Sequence, residues 1–204
     1  GGGAQRRRGA VWISNLTPTT NFTPASFAAA WARTTPARLL RSVTASAASR
    51  SAVLARLDAC PRPWFALGIG SSEAFKQWGT DNFADLAGAL LQRYGGSCFL
   101  LGGASEQAMA DAIAQRAAGS GTLVPLIQAP LQEVIALLAE AQLFVGNDTG
   151  MLNLSAACGA HSIGLFGHTV SAWLASSSPR IHPVYPDAGL SSEGVTQIHL
   201  PAVL

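Results

Sequence analysis

Three short stretches hold most of the polar residues that could do chemistry: Gly68 to Trp78, Gly102 to Glu106 and Gly146 to Gly150. The first opens on Gly68, Gly70, Ser71 and Ser72, small residues whose amides and hydroxyls can come close to phosphate oxygens. It also contains Lys76, the only lysine in the chain. Lysine is a compact, mobile point charge suited to a diphosphate, although a lone exposed lysine is usually just solvated. The third stretch, Gly146-Asn147-Asp148-Thr149-Gly150, runs into a helix whose first turn is Met151, Leu152 and Asn153. Free amides at that helix start offer an anion site, and Asp148 offers an acceptor for sugar hydroxyls. The plainer alternative is that Asp148 or Thr149 caps the helix and does nothing else. Spacing alone does not choose between them.

Each stretch follows an apolar run that reads as a buried strand. Such runs occur at Trp64 to Ile69, Cys98 to Leu101, Thr122 to Leu126, Leu143 to Gly146 and Ser162 to Phe166. Between them lie helical patterns. Phe83, Leu86, Ala87, Leu90, Leu91 and Tyr94 fall on one face of a helix over Asp81 to Tyr94, with Thr80 or Asp81 as its cap and Gly95 and Gly96 as its end. Further helices are expected from about Ser105 to Ala118, from Pro130 to Ala139, and from Gly150 to near Gly159. The alternation implies an α/β fold, a parallel sheet with helices on both faces. Ligands of such sheets bind beyond the carboxyl ends of the strands, which places the three polar stretches on one edge.

The first 60 residues differ, being rich in Ala, Ser, Thr and Arg. A helix is expected after Thr23 and Pro24, on the spacing of Phe27, Ala30 and Trp31, and another from about Thr44 to Leu57. Pro61 and Pro63 then mark a boundary, dividing the chain into residues 1–62 and a main domain over residues 63–204.

Composition and missing signatures narrow the function. With 49% apolar and 12% charged residues the chain lies on the apolar side of the globular range, which argues against disorder. No apolar run approaches the roughly 20 residues of a membrane helix, and no export signal is legible behind Arg6, Arg7 and Arg8. Those arginines read as a solvated tail or as a contact with an anionic membrane surface. A net charge of +2 gives no argument for nucleic acid. Cys60, Cys98 and Cys158 are odd in number and form no CxxC pair, as expected of reduced thiols in the cytoplasm. The dinucleotide fingerprint fails because Glu73 stands at its third glycine, and Lys76 follows Phe75 where a Walker motif needs glycine. No G-x-S-x-G elbow occurs. Without D-x-D or zinc-like histidine spacing, neither a metal nor a cofactor is expected.

Here a resemblance becomes specific. Leu67 to Trp78, L-G-I-G-S-S-E-A-F-K-Q-W, resembles the glycine/serine loop ending in K-x-W of the lipopolysaccharide heptosyltransferase family, glycosyltransferase family 9. Phe99 to Glu106, F-L-L-G-G-A-S-E, resembles its second loop. Val145 to Thr169 is similar to its stretch D-[ST]-G-x-x-H-L-A-A-A-L-G-x-P ending in L-F-G-x-T. The three matches keep family order and spacing. The resemblance implies a GT-B enzyme of two Rossmann-like halves, the first binding acceptor and the second a nucleotide sugar, and this chain corresponds to the second, C-terminal half. It implies an inverting, metal-independent transfer of a sugar, heptose or another, from ADP-heptose or a similar donor to a lipopolysaccharide-core-type acceptor. The setting would be the cytoplasm, at the inner membrane's cytoplasmic face.

Carried over residue by residue, the resemblance makes Ser71, Ser72 and Lys76 diphosphate contacts, with Lys76 stabilising the leaving group. It adds Thr149 and Gly150 as further contacts and has Asp148 hold sugar hydroxyls. Glu106 would accept from the ribose, or else cap its helix. Leu126 to Leu131 would border the adenine, while Trp78 reads as a core anchor. The chain departs from the pattern at Asn153, where the family usually has histidine, so a neutral amide meets the diphosphate. Gly79, His161 and His168 are further departures. The family's glycine-rich N-terminal loop and acidic general base are not found in the first 60 residues, and a complete enzyme of two such halves would need well over roughly 300 residues. A piece of a longer enzyme is therefore expected. The competing expectation is a nucleotide-sugar-binding module that no longer catalyses.

Overall fold

The computed structural model describes residues 43–167, 178–186 and 195–198. The helix expected after Thr23, the arginines at 6–8 and His168 lie outside the described residues. Six strands form one parallel sheet: β1 (Trp64–Gly68), β2 (Ser97–Gly102), β3 (Thr122–Ile127), β4 (Leu143–Asn147), β5 (His161–Leu165) and β6 (Ile181–Val184), in the order β3-β2-β1-β4-β5-β6. Strands β1 and β4 are buried at every residue, so they read as unbroken apolar runs. Both edge strands carry a proline, Pro125 in β3 and Pro183 in β6, where a missing amide costs least. Strand β6 was not expected from the sequence; it is four residues long and half of it is His182 and Pro183.

Helices cover both faces. On one, α2 (Thr80–Tyr94) and α3 (Gln107–Arg116) bury Phe83, Leu86, Leu90 and Ile113 against Phe65, Leu67, Leu100 and Val145. On the other, α1 (Ala47–Arg56), α4 (Leu131–Glu140) and α5 (Gly150–Cys158) meet Trp64, Ala66, Phe99 and Phe144. Alternate residues of each strand thus serve opposite layers. Helix α1 packs beside α4, and Val43 N–H reaches Ala157 O at 3.2 Å, so residues 43–57 share the second layer's core. Arg50 and Arg62 converge on Glu140, and Arg56 meets Glu133, but exposed pairs of this kind add little stability. No helix among the described residues is long and apolar enough to cross a membrane.

Two helix starts differ from expectation. Helix α2 is capped by Gly79, not by Thr80 or Asp81, because the chain reverses there with φ at 98°, a conformation that glycine adopts without strain. Helix α4 begins at Leu131, with Pro130 as its cap. Near the carboxyl ends of β1, β4 and β5, Gly68, Gly146 and Gly164 stand side by side in register. A methyl group added at Gly68 or Gly146 would lie 2.5 or 2.7 Å from Phe144 Cζ, and one at Gly164 would lie 2.5 Å from Phe166 Cε2. The two rings fill the space that side chains would otherwise take.

At the opposite edge, His161 opens β5 half-buried, and its pKa is held below the ordinary 6.5 by burial first, then by the charges of Arg180 and His182. Folding therefore favours the neutral ring: that stability is present above the unfolded value and is lost as pH falls through the lowered folded one. On acidification from about pH 7 to pH 5, the melting temperature of the wild type should fall further than that of His161→Gln. Parallel falls in thermal melts at the two pH values would contradict this.

Candidate functional site

The sheet order reverses direction between β1 and β4, and the loops after these two strands diverge to opposite sides of the sheet. Open α/β sheets form their ligand crevice at this place. Asn147, the last residue of β4, is fully buried in it. Its Oδ1 accepts from Trp78 N–H at 3.2 Å, while its Nδ2 donates to Ile69 O at 3.1 Å, Gly70 O at 3.2 Å and, more weakly, Gln77 Oε1 at 3.4 Å. Only one orientation of the carboxamide satisfies an amide and two carbonyls, so the hydrogen-bond network assigns it. Both ends of the loop after β1 are thus tied to the end of β4.

Between those ties the loop is built from its own polar groups. Ser71 Oγ accepts from Glu73 N–H and donates to Glu73 O, each at 3.1 Å. A 3-10 turn over Ala74–Lys76 follows, and Gln77 Nε2 donates back to Ser71 O at 3.1 Å. Trp78 then leaves the loop for the core: its Nε1 donates to Ile198 O at 2.8 Å and its ring meets Phe83 edge-on. It is a core anchor, as its sequence context suggests.

Lys76 points across to the loop after β4. Its Nζ lies 2.6 Å from Glu73 Oε2 and 3.3 Å from Asp148 Oδ2, and its side chain is 23% exposed. The hydrogen bond to Glu73 raises its pKa, desolvation works against this, and Asp148 raises it further. Lys76 is therefore a protonated, doubly paired ammonium that joins two loops, not a freely solvated one. Thr149 caps α5 with extended backbone and makes no side-chain capping bond, while the position where a side chain would stand at Gly150 is open. Asn153, exposed one turn later, donates to Thr149 O at 3.4 Å.

The loop after β2 closes the other side. Glu106 Oε2 accepts from Gly103 N–H and Oε1 from Ser105 Oγ, both at 2.7 Å. The Glu106 carboxylate also lies over Gly70, where a methyl group would approach Oε2 to 3.0 Å. Glu106 thus caps its own turn and touches the first loop at once. The fold brings Ser71, Lys76, Asp148 and Glu106 to one edge, with Ser72 exposed on the same loop and Thr149, Gly150 and Asn153 at the start of α5. Among the described residues no group of three or more His, Cys, Asp or Glu could hold a metal ion. Sequence reasoning assigned no role to Asn147, Gln77 or Glu73. The signal for Asn147 was its place, a polar residue closing a strand that is otherwise apolar.

Residues 29–187 match the family profile of glycosyltransferase family 9 (heptosyltransferase). This chain belongs to glycosyltransferase family 9. Solved structures share the fold of this family 9 chain. Escherichia coli ADP-heptose LPS heptosyltransferase II superposes with a TM-score of 0.61 at 18% identity, covering 80% of this chain and 53% of that one. Escherichia coli heptosyltransferase WaaC with ADP gives 0.55 at 22% identity, covering 72% and 45%. A glycosyl transferase family 9 protein from Veillonella parvula gives 0.55 at 18% identity, covering 79% and 42%. The chain spans about half the length of each relative. No curated protein matches it in sequence. The α/β Rossmann-like sheet expected of a GT-B half is therefore the fold of this family 9 chain.

The Asn147 link predicts two distinct losses. Asn147→Ala strands the Trp78 amide and the carbonyls of Ile69 and Gly70, and should lower unfolding stability by about 1–3 kcal/mol. Asn147→Asp keeps the shape but turns a carboxylate toward two carbonyls; its folded pKa is raised, so this variant should lose stability as pH rises from about 4 to 7. Denaturant unfolding checks both. An Asn147→Asp protein as stable as wild type at neutral pH would show that the carboxamide does not bind as described.

Proposed function

We propose that this chain is the C-terminal, nucleotide-sugar-binding half of an inverting, metal-independent glycosyltransferase. Its donor is ADP-heptose or a similar nucleotide-diphosphate sugar, and its acceptor is of the lipopolysaccharide-core type. The observation that carries the reading is the position of Lys76, held between the loops after β1 and β4 at the point where the sheet order reverses. A relative of the same fold, Escherichia coli heptosyltransferase WaaC, is described with ADP and with ADP-2-deoxy-2-fluoro heptose.

In this reading the acceptor hydroxyl attacks the anomeric carbon, the bond from that carbon to the diphosphate breaks, and the nucleoside diphosphate leaves. Negative charge grows on the leaving oxygen, and a cation or oriented amide placed there lowers the barrier more than it binds the ground state. Lys76 supplies the cation. The open amides of Thr149 and Gly150 at the start of α5 and the hydroxyls of Ser71 and Ser72 supply donors. Asp148 orients sugar hydroxyls, Glu106 the ribose, and Asn153 offers the diphosphate a neutral amide in place of an imidazole. We assign the general base to the acceptor-binding half. Such a transfer draws on cytoplasmic nucleotide sugar and acts at the cytoplasmic face of the inner membrane.

Lys76→Ala tests the centre of this assignment. ADP affinity should fall by about 1.5–3 kcal/mol, the range for a hydrogen bond to a charged group, which is roughly tenfold or more in Kd. Adenosine, which lacks phosphate, should bind both proteins equally, and EDTA should change neither affinity. Calorimetric titration reads all three. An unchanged ADP affinity in a folded Lys76→Ala protein would remove Lys76 from the diphosphate site.

A further inference from the structure

Two of the groups that would receive an anion on the loop after β1, Lys76 and Ser71, are occupied by one residue. Glu73 holds the Lys76 ammonium with its carboxylate at 2.6 Å, and holds the Ser71 hydroxyl with its own backbone amide and carbonyl at 3.1 Å each. With Asp148 at 3.3 Å, two carboxylates surround one ammonium, so the cluster carries a formal charge of about −1, counted at the reference pKa values, and opposes an approaching anion. The two carboxylates are not equally free. Asp148, at the end of β4, is 19% exposed; Glu73, on the loop itself, is 48% exposed and can swing into water with little loss of hydration.

We propose that Glu73 is a built-in competitor for the donor's diphosphate: it occupies Lys76 in the ligand-free chain, is displaced when the donor binds, and thereby sets donor affinity. The proposal rests on the donor-site reading above. A carboxylate is the nearest side-chain equivalent of a phosphate oxygen pair, and it satisfies the ammonium with the same charge-assisted hydrogen bond. Lys76 has three N–H donors and two of them are engaged, so a diphosphate that takes more than the remaining one does so at the expense of the exposed Glu73 bond. Asp148 stays with Lys76 through the exchange and keeps it aimed at the crevice. The Ser71 turn uses only the backbone of Glu73, so changing this side chain leaves the turn's hydrogen bonds in place.

The test is a calorimetric titration of the chain and its variants with ADP, inorganic pyrophosphate and adenosine. Glu73→Gln should bind ADP and pyrophosphate about two- to five-fold more tightly than wild type, the worth of a partly exposed ion pair. Adenosine should bind as before. Glu73→Ala, which also removes the amide that could still hydrogen-bond Lys76, should show the same direction. In a Lys76→Ala background the gain should vanish, because there is then no ammonium to compete for. Equal or weaker ADP binding by both Glu73 variants, or a gain that persists without Lys76, overturns the proposal. If wild type binds ADP through Lys76 but ignores Glu73, only the competition fails. If no form binds ADP or pyrophosphate, the donor-site reading fails and the competition with it.

Discussion

The carboxamide of Asn147 ties the loop after β1 to the end of β4 at the place where the two chain segments diverge. Strands β1 and β4 are neighbours, but the loops that follow them turn to opposite layers, so the crevice between the loops needs a link of its own. That link must accept from one backbone amide and donate to two carbonyls within a buried space. Asparagine does both without charge. A buried unpaired polar group would cost as much as the link contributes, which makes the arrangement all or nothing. Trp78, Ile69 and Gly70 are positioned by it, and the turn that carries Ser71 and Lys76 is strung between them.

What surrounds this link is shaped by the absence of side chains. Gly68 ends β1, Gly146 and Gly164 stand next to last in β4 and β5, and Phe144 and Phe166 press into the room they leave. The apolar layer therefore reaches up to the strand ends, while the polar edge holds backbone, serines, Lys76, Thr149, Asn153 and the carboxylates of Glu73, Glu106 and Asp148. The ion-pair partners of Lys76 come from two loops, Glu73 from its own and Asp148 from the one after β4. Its protonation is secured by those partners against desolvation, so charge is available at the crevice across the physiological pH range.

Most of this architecture is legible in the sequence. Strands buried on both faces read as unbroken apolar runs, and β1, β2, β4 and β5 stand out for that reason, while β3 is legible as an apolar run although it is only half-buried. Glycines and serines at their carboxyl ends mark the functional edge. Strand β6 is illegible because four residues including His182 and Pro183 carry no periodic signal. The Gly79 cap is hidden because Asp81, a stronger capping type, stands two residues on. The role of Asn147 depends on the register of β4 against β1; locally it shows only as a polar residue closing an apolar strand. The Glu73–Lys76 pair is readable in principle, since residues three apart meet on a helical turn, but only the structure shows Asp148 completing it.

The central claim is that loops from three strands form one diphosphate-binding edge held together at Asn147. Titration of the isotope-labelled chain with ADP, followed through the backbone amide resonances, tests it most directly. Saturable shifts should concentrate at Gly70 to Lys76, Gly103 to Glu106 and Asp148 to Gly150, and should leave His161 and His182 at the opposite edge of the sheet unmoved. Shifts confined to that opposite edge, or no saturable response from a folded sample, would contradict the account.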